Sequence, residues 1–140
     1  MPEAARLPVE DRLDICDLYA RQSHAIDGGD ARQWALTFTI DGVFESPTFH
    51  LTAVGHQELE KFARESNDAA LARGEQLRHW MNAIVILPRT SEEADVHAYL
   101  MIIATSSAGS RIDRSLRVED VVSRADGEWL LAHRQVFRDA

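Results

Sequence analysis

The feature that most restricts this chain is an abrupt change of hydrophobic period near residue 78. Upstream, apolar residues recur at helical spacing; from "RHWMNAIVILP" onward they alternate or run on continuously, as strands do. Residues 78–87, 94–106, 112–124 and 128–137 form four β-rich segments, punctuated by "PRTSEE", "SSAGS" and "ADGE". Asp126-Gly127 in the last of these is a tight-hairpin signal, because such turns need positive φ at both central residues. Helices first, then hairpin-linked strands, is the order of an α+β fold with an antiparallel sheet. The run "YLMIIA" at 99–104 is apolar on both strand faces. The few helices upstream cannot cover both sides of such a sheet. It must curl around its own interior, pack against another subunit, or both.

The upstream segments supply the cover. Val9, Leu13, Cys16, Ala20 and Asp27 fall in a narrow arc at about 100° per residue, and Leu18, Tyr19 and Ile26 widen it. This predicts a first helix that buries that stripe and ends at Gly28-Gly29. Asp30 reads as the N-cap of a second, short helix, with Gln33 at capping-box spacing and Trp34 and Phe38 on its apolar face. "GVFESP" reads as a strand after an Asp41-Gly42 turn, stopped by Pro47. "GHQELEKFARE" returns to helical spacing with Leu59 and Phe62 inward; residues 66–76 either extend it or form another helix ending at Gly74. Simple alternation from His79 puts Met81, Ala83, Val85 and Leu87 on its face, with Trp80, Asn82, Ile84 and Ile86 opposite.

At 140 residues the chain is expected to form a single domain over 1–140. A net charge of −8 disfavours nucleic acid and anionic membrane surfaces as partners and fits a small molecule or a protein better. Cys16 is the only cysteine, which excludes an intrachain disulfide and a thiolate zinc site. The start shows no secretory pattern, and no apolar run approaches the roughly 18 residues of a membrane span, so a cytoplasmic location is expected. His24, His50 and His56 lack metal-ligand spacing, and no metal is expected. There is no nucleophile elbow and no glycine-rich phosphate loop; Cys16 falls mid-helix, where a buried thiol is inert.

Two residues stand out. His79 heads a strand that is apolar on both sides, either as a satisfied core histidine or as a group lining a pocket. Asp27 falls on the apolar stripe in the last turn of its helix, either capping the Gly28-Gly29 turn or meeting a cation. A carboxylate there faces the negative end of the helix dipole, at a cost of about 0.3–1 kcal/mol that a protonated histidine would offset.

In order, "YARQSHAIDGGDARQWALTFTIDGVFE", "VGHQELEKFARE", "LRHWMNAIVI" and "RVEDVVSRADGEWLLAHRQVF" resemble the SnoaL-like branch of the nuclear transport factor 2-like superfamily, from about Val9 to Phe137. The resemblance is strongest to the group holding scytalone dehydratase, lindane dehydrochlorinase, bile-acid dehydratase and the ring-hydroxylating dioxygenase β subunits. It implies a cone: a strongly curved, mainly antiparallel sheet wrapped on N-terminal helices, with an internal pocket. It also implies a homodimer or homotrimer, which would use the second apolar face of the sheet. In the dehydratase-like members an aspartate near the end of the first helix pairs with a histidine at the start of the strand after the third helix. The motifs "AID" and "RHWMN" carry these roles onto Asp27 and His79.

Such a pair supports proton abstraction. The aspartate orients the imidazole, whose ordinary pKa of about 6.5 lies near operating pH, and the imidazole takes a proton from carbon. The resemblance therefore implies a cofactor-independent lyase or isomerase acting on a hydrophobic, carbonyl-bearing small molecule, with secondary metabolism as a setting. A non-catalytic binding or assembly subunit stands as an alternative, as does an epoxide hydrolase or polyketide cyclase; the Asp-Arg-Asp set of the epoxide hydrolases is not recognisable here. Tyr19, Trp34, Tyr99, Thr105 and His133 are further candidates for substrate contact. Arg134 reads mainly as a cationic partner for a buried acid, and Arg117, Glu119 and Asp120 as a solvated or interface charge set. The second catalytic histidine of scytalone dehydratase would fall near Thr105 or Ser106, and this chain has none there.

Overall fold

A computed structural model describes residues 6–140, so the first five residues of the expected 1–140 domain lie outside the described residues. Across these residues the chain forms three helices and six strands. Helix α1 spans Val9–Asp27, α2 Ala31–Leu36 and α3 Gly55–Ala72. The strands are β1 Phe38–Ser46, β2 Leu51–Val54, β3 Gln76–Thr90, β4 Glu93–Ser106, β5 Gly109–Ala125 and β6 Glu128–Arg138. All six make one curved, unclosed sheet in the order β2-β1-β6-β5-β4-β3. Among the described residues only β1 and β6 pair in parallel, which fits the expected mixed but mainly antiparallel sheet. The helices lie against the inner face, where Val96, Val118, Val122 and Leu131 are fully buried with Ile15, Leu18 and Leu59 of the helices. Among the described residues no helix is long and apolar enough to cross a membrane.

Four local readings need correction, and each has a physical cause. Helix α1 buries Asp11, Ile15, Leu18, Tyr19, Gln22 and Ile26. Val9 (71% exposed), Leu13 (63%) and Cys16 face outward instead. A count of hydrophobicity discards Asp11 and Gln22, yet both have partners inside: Trp129 Nε1 donates to Asp11 at 3.0 Å, and Gln22 joins a polar network described below. Next, β1 begins at Phe38 and runs through Asp41-Gly42 without turning. Gly42 is where this strand passes over Phe38; a Cβ there would lie 2.7 Å from the Phe38 Cβ. Pro47 does end the strand, and α3 extends to Ala72.

The third correction is a β-bulge. Asn82 pairs with Tyr99 and Val85 with His97, so β3 carries one more residue than β4 between these pairs. Ala83, at φ 53°, absorbs it in the left-handed region. The bulge reverses strand parity: His79 and Met81 face inward with Ile84 and Ile86, and Val85 and Leu87 face outward. Last, Asp120 is buried rather than part of a surface charge set, because β5 sends Leu116, Val118, Asp120 and Val122 inward in strict alternation. Its neighbours Arg117 and Glu119 do face out and pair at 3.6 Å.

Candidate active site

Between the inner sheet face and the helices lies a partly open cavity of about 250 Å³. One wall is aromatic: Trp34 packs edge-on to Phe44 with ring centroids 5.9 Å apart, and Phe62 lies 4.6 Å from Phe44. Leu100, Ile102, Leu116 and Val136 from the sheet complete the apolar lining, into which His79, Arg114 and Arg134 project.

Asp27 and His79 meet at the cavity edge. The last residue of α1 lies against the start of β3, held there by Gln76 Nε2, which donates to the Asp27 carbonyl at 2.9 Å. The Asp27 carboxylate accepts the His79 backbone N–H at 3.0 Å (Oδ2), and its Oδ1 lies 2.6 Å from His79 Nδ1. Both side chains are largely out of solvent, with His79 16% and Asp27 8% exposed. A carboxylate can only accept here, so Nδ1 carries the proton and the lone pair of a neutral His79 ring sits on Nε2. Nδ1 is occupied by Asp27, and among the described residues Nε2 has no hydrogen-bond partner. A wider groove of about 620 Å³ runs past the other side of His79, between Ala20, His24, Trp80 and Asn82. The groove is the more open of the two, so the cavity is the better shielded place for a carbanion-forming reaction.

Below the cavity lies a buried polar chain. Arg134 Nε donates to Asp120 Oδ1 at 3.0 Å, its Nη2 to Asp120 Oδ2 at 2.9 Å and its Nη1 to Gln22 Oε1 at 2.6 Å. Tyr19 donates to the same carboxylate at 2.5 Å. Gln22 passes the chain to Thr37 at 2.8 Å, and Thr37 to the Trp34 carbonyl at 2.6 Å. Burial, reinforced by the Asp120 charge, holds the Tyr19 phenol well above its ordinary range. Burial also works against the Arg134 charge, but Asp120 and Tyr19 outweigh it and the net shift is upward. A guanidinium has five N–H donors, and these contacts use three of them.

The structure thus brings His79 and Trp34 to one cavity, while Asp27 and Tyr19 line the groove on the other side of His79, the Tyr19 hydroxyl committed to Asp120. Three other expected contact residues lie outside. Tyr99 is 67% exposed and Thr105 is exposed, both on the outer face of β4, where Thr105 Oγ1 lies 2.7 Å from Ser110 Oγ. His133 Nε2 lies 2.8 Å from Glu45 on the outer side of β6 and β1, and that hydrogen bond chiefly lowers the Glu45 carboxyl pKa. The cause is strand parity: Arg134, not His133, shares the inner face with Val136. Counting back from that core valine would have found Arg134. Arg114 was missed because it reads as one more charge in the "RIDR" stretch.

A sequence model of the SnoaL-like domain matches residues 8–135. Among solved structures, Aln2 from a Streptomyces species is 26% identical, covers 96% of this chain and 95% of its own, and superposes with a TM-score of 0.85. ActVI-ORFA from Streptomyces coelicolor is 26% identical over 94% of this chain and 97% of its own, with a TM-score of 0.84. A protein from Catenulispora acidiphila, solved in complex with S-DNPA, is 30% identical over 94% of this chain and 96% of its own, with a TM-score of 0.80. The search of curated proteins found no match.

Proposed function

Given that the chain belongs to the SnoaL-like family of the nuclear transport factor 2-like superfamily, we propose that it is a cofactor-independent lyase or isomerase of a hydrophobic, carbonyl-bearing small molecule. One observation carries the reading: a carboxylate-oriented histidine that lines an apolar cavity and whose second ring nitrogen has no partner among the described residues. Family membership supports a small-molecule isomerase- or cyclase-type role, and the ligand complex of the Catenulispora protein supports a cavity that takes small molecules.

In this reading His79 Nε2 takes the proton from a carbon next to the substrate carbonyl. The C–H bonding pair moves into an enolate, and Asp27 stabilises the imidazolium. A hydroxyl on the β carbon then leaves with its bonding pair and collects the proton from Nε2, giving water and an unsaturated carbonyl. Without a leaving group the proton returns to another carbon, and the reaction is an isomerisation. Arg134, locked by Asp120 and Gln22, turns fixed positive charge towards the enolate oxygen. The apolar outer face of the sheet, with Trp80, Val85 and Tyr99 exposed, supports assembly into a homodimer or homotrimer.

The test is proton exchange of 2-tetralone, a bicyclic ketone, in heavy water. The wild type accelerates exchange at the α carbon, and Asp27→Asn lowers that acceleration by about 100-fold or more. Equal exchange by both proteins removes the pair from the mechanism. No acceleration by the wild type favours the non-catalytic binding or assembly subunit.

A further inference from the structure

The charge on the cavity wall contradicts the charge of the chain. The protein carries −8, yet among the described residues no carboxylate lines the cavity, where Arg114 and Arg134 are the only permanently charged side chains. These two arginines are not equivalent. Arg134 is compensated within its own network by Asp120. Arg114 is not. Its Nε donates to Asp113 at 3.1 Å, but Arg111 already holds that carboxylate at 2.7 Å, and Arg111 also reaches Glu75 at 2.7 Å, as does Arg73. Three guanidinium groups thus share two carboxylates, and one positive charge is left over at this rim. Among the described residues neither Nη of Arg114 has a hydrogen-bond partner. A guanidinium tied through Nε with its Nη pair free presents the fork that a carboxylate fits bidentately.

The backbone explains why this arginine looks inward. Ile102 pairs with Arg114 and Ile103 with Ile112, so Asp113 is an extra residue in β5. The bulge ends the inward alternation of β5 at Arg114 and turns Ile112 outward, where it is 64% exposed. The register also fixes Arg114 relative to the proposed base. His79 pairs with Ile102, and Ile102 pairs with Arg114, so the three form one cross-strand row on the inner face. Two strand spacings separate His79 from Arg114, about 10 Å between backbones. One small molecule therefore reaches both side chains.

We infer that Arg114 is the specificity residue of the cavity and that the preferred ligand is an apolar molecule carrying a carboxylate. The carboxylate docks on the free Nη fork, and the rest of the molecule lies along Ile102 towards His79. The inference rests on the functional reading given above for the same cavity, but it concerns recognition, not proton transfer.

Calorimetric titration with 2-naphthoate and 2-naphthamide at pH 7.5 tests it, since the two differ little in shape and by one charge. The wild type binds the acid at least about tenfold more tightly than the amide, the size of a charge-assisted hydrogen bond. Arg114→Gln binds the amide as the wild type does and loses the preference. Arg114→Lys keeps charge without the fork and falls between them, which covers the case of a poorly folding glutamine variant. Asp27→Asn keeps the full preference while losing proton exchange, so failure of the chemistry and failure of recognition are told apart. A preference that survives in Arg114→Gln, or a wild type that prefers neither ligand or binds neither, overturns the assignment.

Discussion

Replacing Asp120 by alanine is expected to remove a large part of the stability of this protein. Asp120 is 2% exposed and accepts from Tyr19 and, through both oxygens, from Arg134. Its loss leaves the Arg134 guanidinium, whose side chain is 5% exposed, without a counter-charge. Breaking a buried pair from one side costs about 3–5 kcal/mol, and the orphaned Tyr19 hydroxyl adds about 1 kcal/mol or more. Set against a total stability of about 5–15 kcal/mol, the variant unfolds at markedly lower urea. Arg134→Met is costly for the mirror-image reason, since it strands the Asp120 carboxylate. The double variant Asp120→Ala/Arg134→Met strands neither charge, so its cost falls short of the summed single costs by about 2 kcal/mol or more. Urea titrations of the four proteins at pH 7, followed by far-UV circular dichroism, supply the cycle. Additivity within about 0.5 kcal/mol would refute the argument, because it would mean that the charges are independently solvated.

The Tyr19 phenol, raised by burial and by Asp120, holds its proton more tightly in the folded chain than in the unfolded one. That stability is fully present below about pH 10, the ordinary tyrosine value, and is lost as pH rises above it. Urea midpoints at pH 9 and pH 11 should therefore fall further for the wild type than for Tyr19→Phe; parallel falls would dismiss the link. Gly42→Ala places a Cβ 2.7 Å from that of Phe38 and 3.0 Å from the Thr39 carbonyl, and neither can retreat as a flexible side-chain end would. A loss of about 1–3 kcal/mol in urea titration is expected, and a neutral substitution would show that β1 can shift there.

Much of this architecture follows from local rules acting on local sequence. The change of period near residue 78, the hairpin signal at Asp126-Gly127, the Asp30 cap that accepts from Gln33 N–H at 3.1 Å and the stop at Pro47 are short-range effects. Each depends on one residue type and its near neighbours, so each is legible without coordinates. Asp27 and His79 were legible in a second way, as polar residues on apolar patterns matching a family motif, although 52 residues separate them.

What remained hidden depends on choices that only packing makes. Helix α1 offers two arcs, and the sheet accepts the one holding Asp11 and Gln22 because Trp129 and Arg134 wait there to satisfy them. Single extra residues at Ala83 and Asp113 reverse strand parity, and no alternation rule can foresee them, since a bulge is decided by how two strands register. That same register separates Arg134 from His133, turns Tyr99 and Thr105 away from the cavity and aims Arg114 into it. Sequence alone determined that the chain would wrap a sheet over helices and keep an acid and a histidine for its interior. Tertiary structure decided which other side chains share that interior, because inside and outside on a strand differ by one residue of register.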